Sequence, residues 1–265
     1  MPRRQQRPHP YLDGPHPRAF AHRGWHLDEL AGMENSAAAM VRAWAEGFVY
    51  LETDVRATAD GVVVVQHDAT LGRTTDMAGV VAALPWSRVR RARIGGREPV
   101  SRLEDVLEAL PAARFNIDVK SDHAVGPVLR VVERMSAWSR VCLASFDERR
   151  LRVLRRAGGP RLLTSLGRES ARLLWASSRL GRVGDGLPVA GGLAQLPLDR
   201  GMLRVVDERL VRAVRRRGLE VHVWTIDDPA RMRELLDLGV DGLVTDRPDL
   251  LRAELSARGV WSSGG

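Results

Sequence analysis

The chain has 265 residues, 44% of them hydrophobic and 28% charged, with a single cysteine and a net charge of +8. One cysteine excludes an intrachain disulfide, and no uncharged apolar run approaches the roughly 20 residues that a membrane-spanning helix needs. The basic excess is nearly all arginine and is scattered along helical stretches. With only 5% aromatic residues and no recognisable binding module, it reads as solvated helix faces, not a nucleic-acid surface.

In chain order, residues 1–17 carry five prolines and little that is apolar, and read as a flexible arm. They lack the apolar core of a secretory signal, so a cytoplasmic protein is expected; peripheral contact of this basic arm with lipid stays open. Residues 18–21 form a short strand that delivers His22, Arg23 and Gly24. Residues 34–47 place Ala37, Met40, Val41 and Trp44 at helical spacing and stop at Gly47. Residues 48–68 read as two strands about an Asp60-Gly61 turn. In the first, Glu52 and Asp54 share a face above Tyr50; the second runs straight into His67 and Asp68.

Residues 69–100 are irregular and read as an excursion carrying a short helix. Ser101 with Glu104 then forms a capping box for a helix over 101–110. Strands follow at 114–120, 141–146, 162–166, near 193–196, 220–225 and 242–244, separated by helical stretches. Cys142 lies in an apolar run and reads as a buried thiol. Eight or so strands alternating with helices over this length predict an α/β fold, a (β/α)8 TIM barrel. It spans residues 18–256 as one catalytic domain, with a small insertion (about 69–100) after the strand that ends at His67, and a tail at 257–265. No Gly-x-Gly-x-x-Gly follows an early strand, which counts against a dinucleotide-binding sheet.

Reactive groups of such a barrel sit at the C-terminal ends of its strands. Those ends here carry His22 and Arg23; Glu52 and Asp54; His67 and Asp68; Asn116, Asp118 and Lys120; Trp224; and Asp246, which reads first as a helix N-cap. The carboxylates of Glu52, Asp54 and Asp118 make an oxygen-rich set suited to Mg²⁺ or Ca²⁺. Arg23 and Lys120 suit a phosphate, and two histidines suit one base and one acid. On pattern alone either histidine is as readily a hydrogen-bonded structural group. Glu52 and Asp54 could instead pair with arginines, although two carboxylates side by side on a buried face repel unless a cation joins them.

At these residues the sequence resembles the glycerophosphodiester phosphodiesterase family. The matching stretches are AHRG (21–24), ENS (34–36), LETDV with Glu52 and Asp54, VVVVQHDATLGRTTD (62–76), NIDVK (116–120), VHVWTID (221–227) and GVDGLVTDRP (239–248). The resemblance implies a (β/α)8 barrel and metal-dependent hydrolysis of a small-molecule glycerophosphodiester to sn-glycerol 3-phosphate and an alcohol. It gives His22 and His67 the acid/base roles, and Glu52, Asp54 and Asp118 a divalent ion, Mg²⁺ or Ca²⁺. Arg23 and Lys120 take the phosphate, Asn35 a place at the rim near the metal, and Trp224 the wall of the glycerol pocket. The family usually has Glu where this chain has Asp118, which reaches about one methylene less far. Two rivals accompany this reading: lysophospholipase D-type action on lysophospholipids, which needs an apolar groove at the mouth, and an inactive phosphate-ligand-binding barrel.

Overall fold

The barrel is built from short, buried runs rich in β-branched residues, the composition expected of parallel strands covered on both faces. The computed structural model describes residues 9–262. Its strands are β1 (Arg18–His22), β2 (Tyr50–Ala57), β3 (Val63–Val65), β4 (Arg93–Ile94), β5 (Glu98–Pro99), β6 (Arg114–Val119) and β7 (Val141–Ala144). They continue with β8 (Leu163–Thr164), β9 (Leu193–Pro197), β10 (Asp199–Arg200), β11 (Leu203–Arg204), β12 (Glu220–Trp224) and β13 (Gly242–Thr245). Eight of them lie parallel in the order β8-β7-β6-β2-β1-β13-β12-β9. The ring nearly closes: Gly192 N donates to Thr164 O and Leu166 N to Leu193 O, each at 2.8 Å.

The helices α1 (Ala37–Ala45), α2 (Trp86–Val89), α3 (Leu103–Ala109), α4 (Val125–Arg134) and α5 (Glu148–Gly158) precede α6 (Arg168–Arg179), α7 (Glu208–Arg216), α8 (Pro229–Leu238) and α9 (Pro248–Ala257). α4 shows how they attach: Val125, Val128, Val131 and Val132 fall on one face and are buried against the strands. Each such side chain contributes about 1.5–3 kcal/mol of burial. Side chains of Ser36, Asp147, Asp207 and Asp228 cap α1, α5, α7 and α8.

The structure corrects four expectations. First, β3 is not a barrel strand. It returns antiparallel along β2, with Val55 opposite Val65, so His67 reaches the rim from a hairpin standing on β2. Second, the Ser101–Glu104 capping box does not form: Val65 N donates to Ser101 O, holding that residue against β3, and Arg102 becomes the N-cap of α3. Third, residues 69–100 are more than an irregular excursion, because Leu71, Val81, Val89, Ala92, Ile94 and Val100 close a small core of their own over Val64.

The fourth concerns the ends of the chain. Of the arm expected over residues 1–17, residues 1–8 lie outside the described part, but 9–17 pack across the N-terminal mouth of the barrel. Tyr11 is wholly buried against Tyr50, Phe20 and Leu193. Arg18 gathers the carbonyls of Leu12, Pro15 and Gly14. In the expected tail, the Trp261 ring packs at a tilt against Phe48, their centroids 5.0 Å apart. A single buried aromatic among prolines converts the arm into a plug. Tyr11→Ala is therefore expected to cost about 3 kcal/mol of stability, measurable by urea denaturation; a change within experimental error would contradict the plug.

Candidate active site

The C-terminal rim of the barrel surrounds a cavity of about 220 Å³ lined by His22, Arg23, Glu52, Asp54, His67 and Asp118, among others, with Lys120 and Trp224 on its wall. The two-residue repeat of a strand places these groups. β2 sends Glu52 and Asp54 inward, and β6 sends Asn116 and Asp118 inward at the same height, with Asp54 directly beside Asp118 in the register.

Burial decides the electrostatics. Glu52, Asp54 and Asp118 are 6%, 1% and 7% exposed, too dry for three unpaired charges. Lys120 Nζ lies 2.8 Å from Asp54 and 2.6 Å from Asp118, and Arg23 Nε lies 3.1 Å from Asp54. Burial pushes the Asp54 carboxyl up, but Lys120 and Arg23 outweigh it and hold it below its ordinary value. Asp118, where burial wins, lies above its usual range. Glu52 has the least compensation: burial and then the repulsion of Asp54 push it up to about 8.

Each histidine has a carboxylate partner. His22 Nδ1 meets Asp246 at 2.7 Å while its Nε2 is 3.7 Å from Glu52. Burial disfavours its imidazolium, but Glu52 and Asp246 prevail and hold His22 above its ordinary pKa. His67 Nδ1 lies 2.6 Å from Asp68, which Arg73 also grips. Arg73 continues to Glu34, and Glu34 to Arg23, so ion pairs run round this side of the mouth. Asp246→Asn is expected to lower the pH at which His22 loses its proton, because the imidazolium loses a hydrogen-bonded carboxylate partner. An NMR titration of the His22 ring checks this; an unchanged midpoint would remove Asp246 from the site.

Most of the expected rim residues therefore converge. Asn35 differs: its amide donates to Asp54 Oδ2 at 2.9 Å and accepts from Thr53 Oγ1 at 2.8 Å, which fixes it, 2% exposed, behind Asp54 and away from the cavity wall. Both Arg23 (φ 57°) and Asn35 (φ 62°) hold left-handed backbone, uncommon for side-chain-bearing residues and a frequent mark of functional positions. Asp246 is not the cap of α9, which begins after Arg247; its carboxylate is held by His22 and also by His26, at 3.1 Å. Arg56, two residues beyond Asp54, escaped notice in the sequence, yet its Nε donates to the His67 carbonyl at 2.9 Å. The Glu52–Asp54–Arg56 alternation was the available signal.

Among the described residues no three His, Cys, Asp or Glu side chains are already gathered into a metal-ligating group. The donor set nevertheless fits a hard divalent cation. It is all carboxylate oxygen, Asp118 Oδ1 is buried without a hydrogen-bond partner, and Glu52 faces Asp54 with nothing fully neutralising it. A cation here would share Asp54 and Asp118 with Lys120.

The (β/α)8 barrel thus carries on its C-terminal rim two histidines, three carboxylates and two cationic side chains, a set suited to acid/base chemistry on an anionic ester. The family model described as the glycerophosphoryl diester phosphodiesterase family matches residues 22–250, and the chain belongs to that family. It is 42% identical over 246 residues to the "Probable glycerophosphodiester phosphodiesterase 2" of Mycobacterium tuberculosis, covering 92% of both chains. Among solved structures it is similar to a glycerophosphodiester phosphodiesterase from Agrobacterium tumefaciens (29% identity, TM-score 0.70, 90% of this chain and 99% of that one). At the level of fold it is also similar to an Oleispira antarctica phosphodiesterase in complex with the product sn-glycerol-3-phosphate (20% identity, TM-score 0.73, 91% and 97% covered).

Proposed function

We propose that this chain hydrolyses glycerophosphodiesters to sn-glycerol 3-phosphate and an alcohol, with a divalent metal ion and with His22 and His67 as the proton-transfer pair. The observation that carries the reading is the convergence of both imidazoles, three carboxylates and two cations on one cavity. Glu52, Asp54 and Asp118 would hold Mg²⁺ or Ca²⁺, and Asn35 supports them by orienting Asp54. Such an ion, when bound, supplies Lewis-acid neutralisation of charge on a phosphoryl oxygen.

The protein groups account for the rest. Arg23 and Lys120 bind the non-bridging oxygens, the planar guanidinium engaging two and the ammonium adding a point charge. One histidine takes the proton of the attacking oxygen and the other returns a proton to the leaving alkoxide; attack by water gives glycerol 3-phosphate directly, whereas attack by the glycerol 2-hydroxyl gives a cyclic phosphate that a water then opens. The partners of the two rings set their tautomers: Asp246 engages Nδ1 of His22 and Asp68 engages Nδ1 of His67, leaving each Nε2 for the substrate. Trp224 walls the glycerol pocket and is braced edge-on by Phe146 at 5.5 Å. No motif group is missing, which favours an enzyme over an inactive binding barrel.

A second reading has an observation behind it. A largely apolar groove of about 510 Å³ leaves the cavity past Phe146 and Trp224, lined by Leu166, Trp175, Leu196 and Val205, with Arg168, Arg172, Asp199 and Arg200 also on its walls. It begins beside the wall given to glycerol, so an acyl chain on that glycerol would lie there, as lysophospholipase D-type hydrolysis requires. Mass spectrometry of the products from glycerophosphocholine and lysophosphatidylcholine tests both. Free choline with glycerol 3-phosphate supports the first reading, and choline with lysophosphatidic acid adds the second. Phosphocholine as product, or no cleavage of either, would overturn the reading.

A further inference from the structure

The cavity has a floor one layer below its rim. Asn116 on β6 stands beside Glu52 in the register, two residues before Asp118. Gln195 on β9 stands beside His222, two residues before the level of Trp224. The two side chains meet across the barrel interior, where the Gln195 amide donates to Asn116 Oδ1 at 2.9 Å. Asn116 lines the cavity, and Gln195 lines both the cavity and the largely apolar groove that leaves it past Trp224. The pair therefore sits where the glycerol pocket opens into the path of an acyl chain.

Neither amide is used up by this bond. Each carries one NH2 and one C=O, and the bond engages only the Gln195 NH2 and the Asn116 C=O. The Asn116 NH2 and the Gln195 C=O make no hydrogen bond among the described residues and are not sealed from the cavity. Turning both amides over leaves the same offer, one donor and one acceptor side by side. Asn116 is only 5% exposed, so its free group is satisfied from the cavity or not at all. The chemistry proposed above gives this pair no part.

We propose that Asn116 and Gln195 read the terminal hydroxyl of the glycerol, and that Gln195 thereby favours glycerophosphodiesters over lysophospholipids. A hydroxyl both donates and accepts, so it satisfies the Gln195 C=O and the Asn116 NH2 at once. Acylation turns that oxygen into an acceptor only and leaves the Gln195 C=O unpaired at the start of the groove. A site built to hydrogen-bond a hydroxyl rejects a ligand that lacks it, because its own polar groups then go without partners. The hydroxyl concerned is the terminal one because Gln195 stands at the boundary with the groove, where an acyl chain on that oxygen would leave. The inference rests on the placement of glycerol beside Trp224 in the proposed function.

The test reads binding, so it stands apart from turnover. Calorimetry in Mg²⁺ would compare sn-glycerol 3-phosphate with propane-1,2-diol 1-phosphate, which keeps the 2-hydroxyl and lacks the terminal one. The wild-type chain is expected to bind glycerol 3-phosphate on the order of tenfold tighter, as net hydrogen-bond contributions dictate. Gln195→Met, which keeps the length and removes the amide, should bring the two ligands level while inorganic phosphate binds as before. Asn116→Ala should shrink the same preference, since the two amides act as a unit. Equal binding by the wild-type chain, a preference that survives either substitution, or loss of inorganic phosphate binding in Gln195→Met would overturn the assignment. The expected preference in a chain that cleaves no glycerophosphocholine would uphold the pair and count against the proposed chemistry alone.

Discussion

His67→Ala is expected to lower kcat by about 10²–10⁴-fold, the contribution typical of a positioned acid or base, with little change in folding. The geometry separates this residue from a structural one. His67 sits outside the strand ladder of the barrel, on the hairpin formed by β3. Its ring is bonded to the neighbouring Asp68, and its backbone carbonyl is held by Arg56. Removing the ring empties a partly exposed position at the rim and disturbs no buried cluster. A stable variant with ordinary kcat would therefore dismiss the two-histidine reading outright. His22→Ala should cost a similar factor, but its ring is more enclosed and is bonded through Nδ1 to Asp246, so part of its effect will be on the shape of the site.

The second large effect is expected from the metal. Chelation should abolish turnover, and Asn35→Ala, which removes the amide that orients Asp54, should weaken divalent-ion affinity by about 10–100-fold. The affinity should also depend on pH in a definite direction. Glu52 is pushed up to about 8 in the folded, metal-free protein by burial and by Asp54. The folded state therefore holds a proton that the unfolded state releases in the ordinary carboxylate range. Its contribution to metal-free stability is present at low pH and is lost as pH rises through about 8. A bound divalent ion displaces that proton, so the rise in Tm on adding Mg²⁺ or Ca²⁺ should grow from pH 6 to pH 9. A Tm shift independent of pH, or absent, would contradict ligation through Glu52.

What the sequence made legible follows from what is local. Glu52 and Asp54, then Asn116 and Asp118, were readable because a strand repeats every two residues and because each run ended in polar groups. That places a carboxylate on a face without any tertiary information. Strand direction is not local, and β3 looked like one more strand because nothing in Val62–Val65 distinguishes antiparallel return from parallel entry. The link from His22 to Asp246 crosses 224 residues, and only the finished ring brings β1 beside β13. The same holds for Arg73 and Glu34, which join the insertion to the loop before α1. Tyr11 was hidden for a compositional reason: proline-rich flanks read as flexible, although one aromatic side chain sufficed to seal the barrel floor. Asn35 was visible as a motif residue, but its role behind Asp54 came only from packing.

The most direct test of the account measures sn-glycerol 3-phosphate release from glycerophosphocholine by the wild-type chain as prepared, after chelation, and after Mg²⁺ or Ca²⁺ is restored. Turnover should vanish with the chelator and return with the ion. Full activity in the chelator would contradict a metal held by Glu52, Asp54 and Asp118.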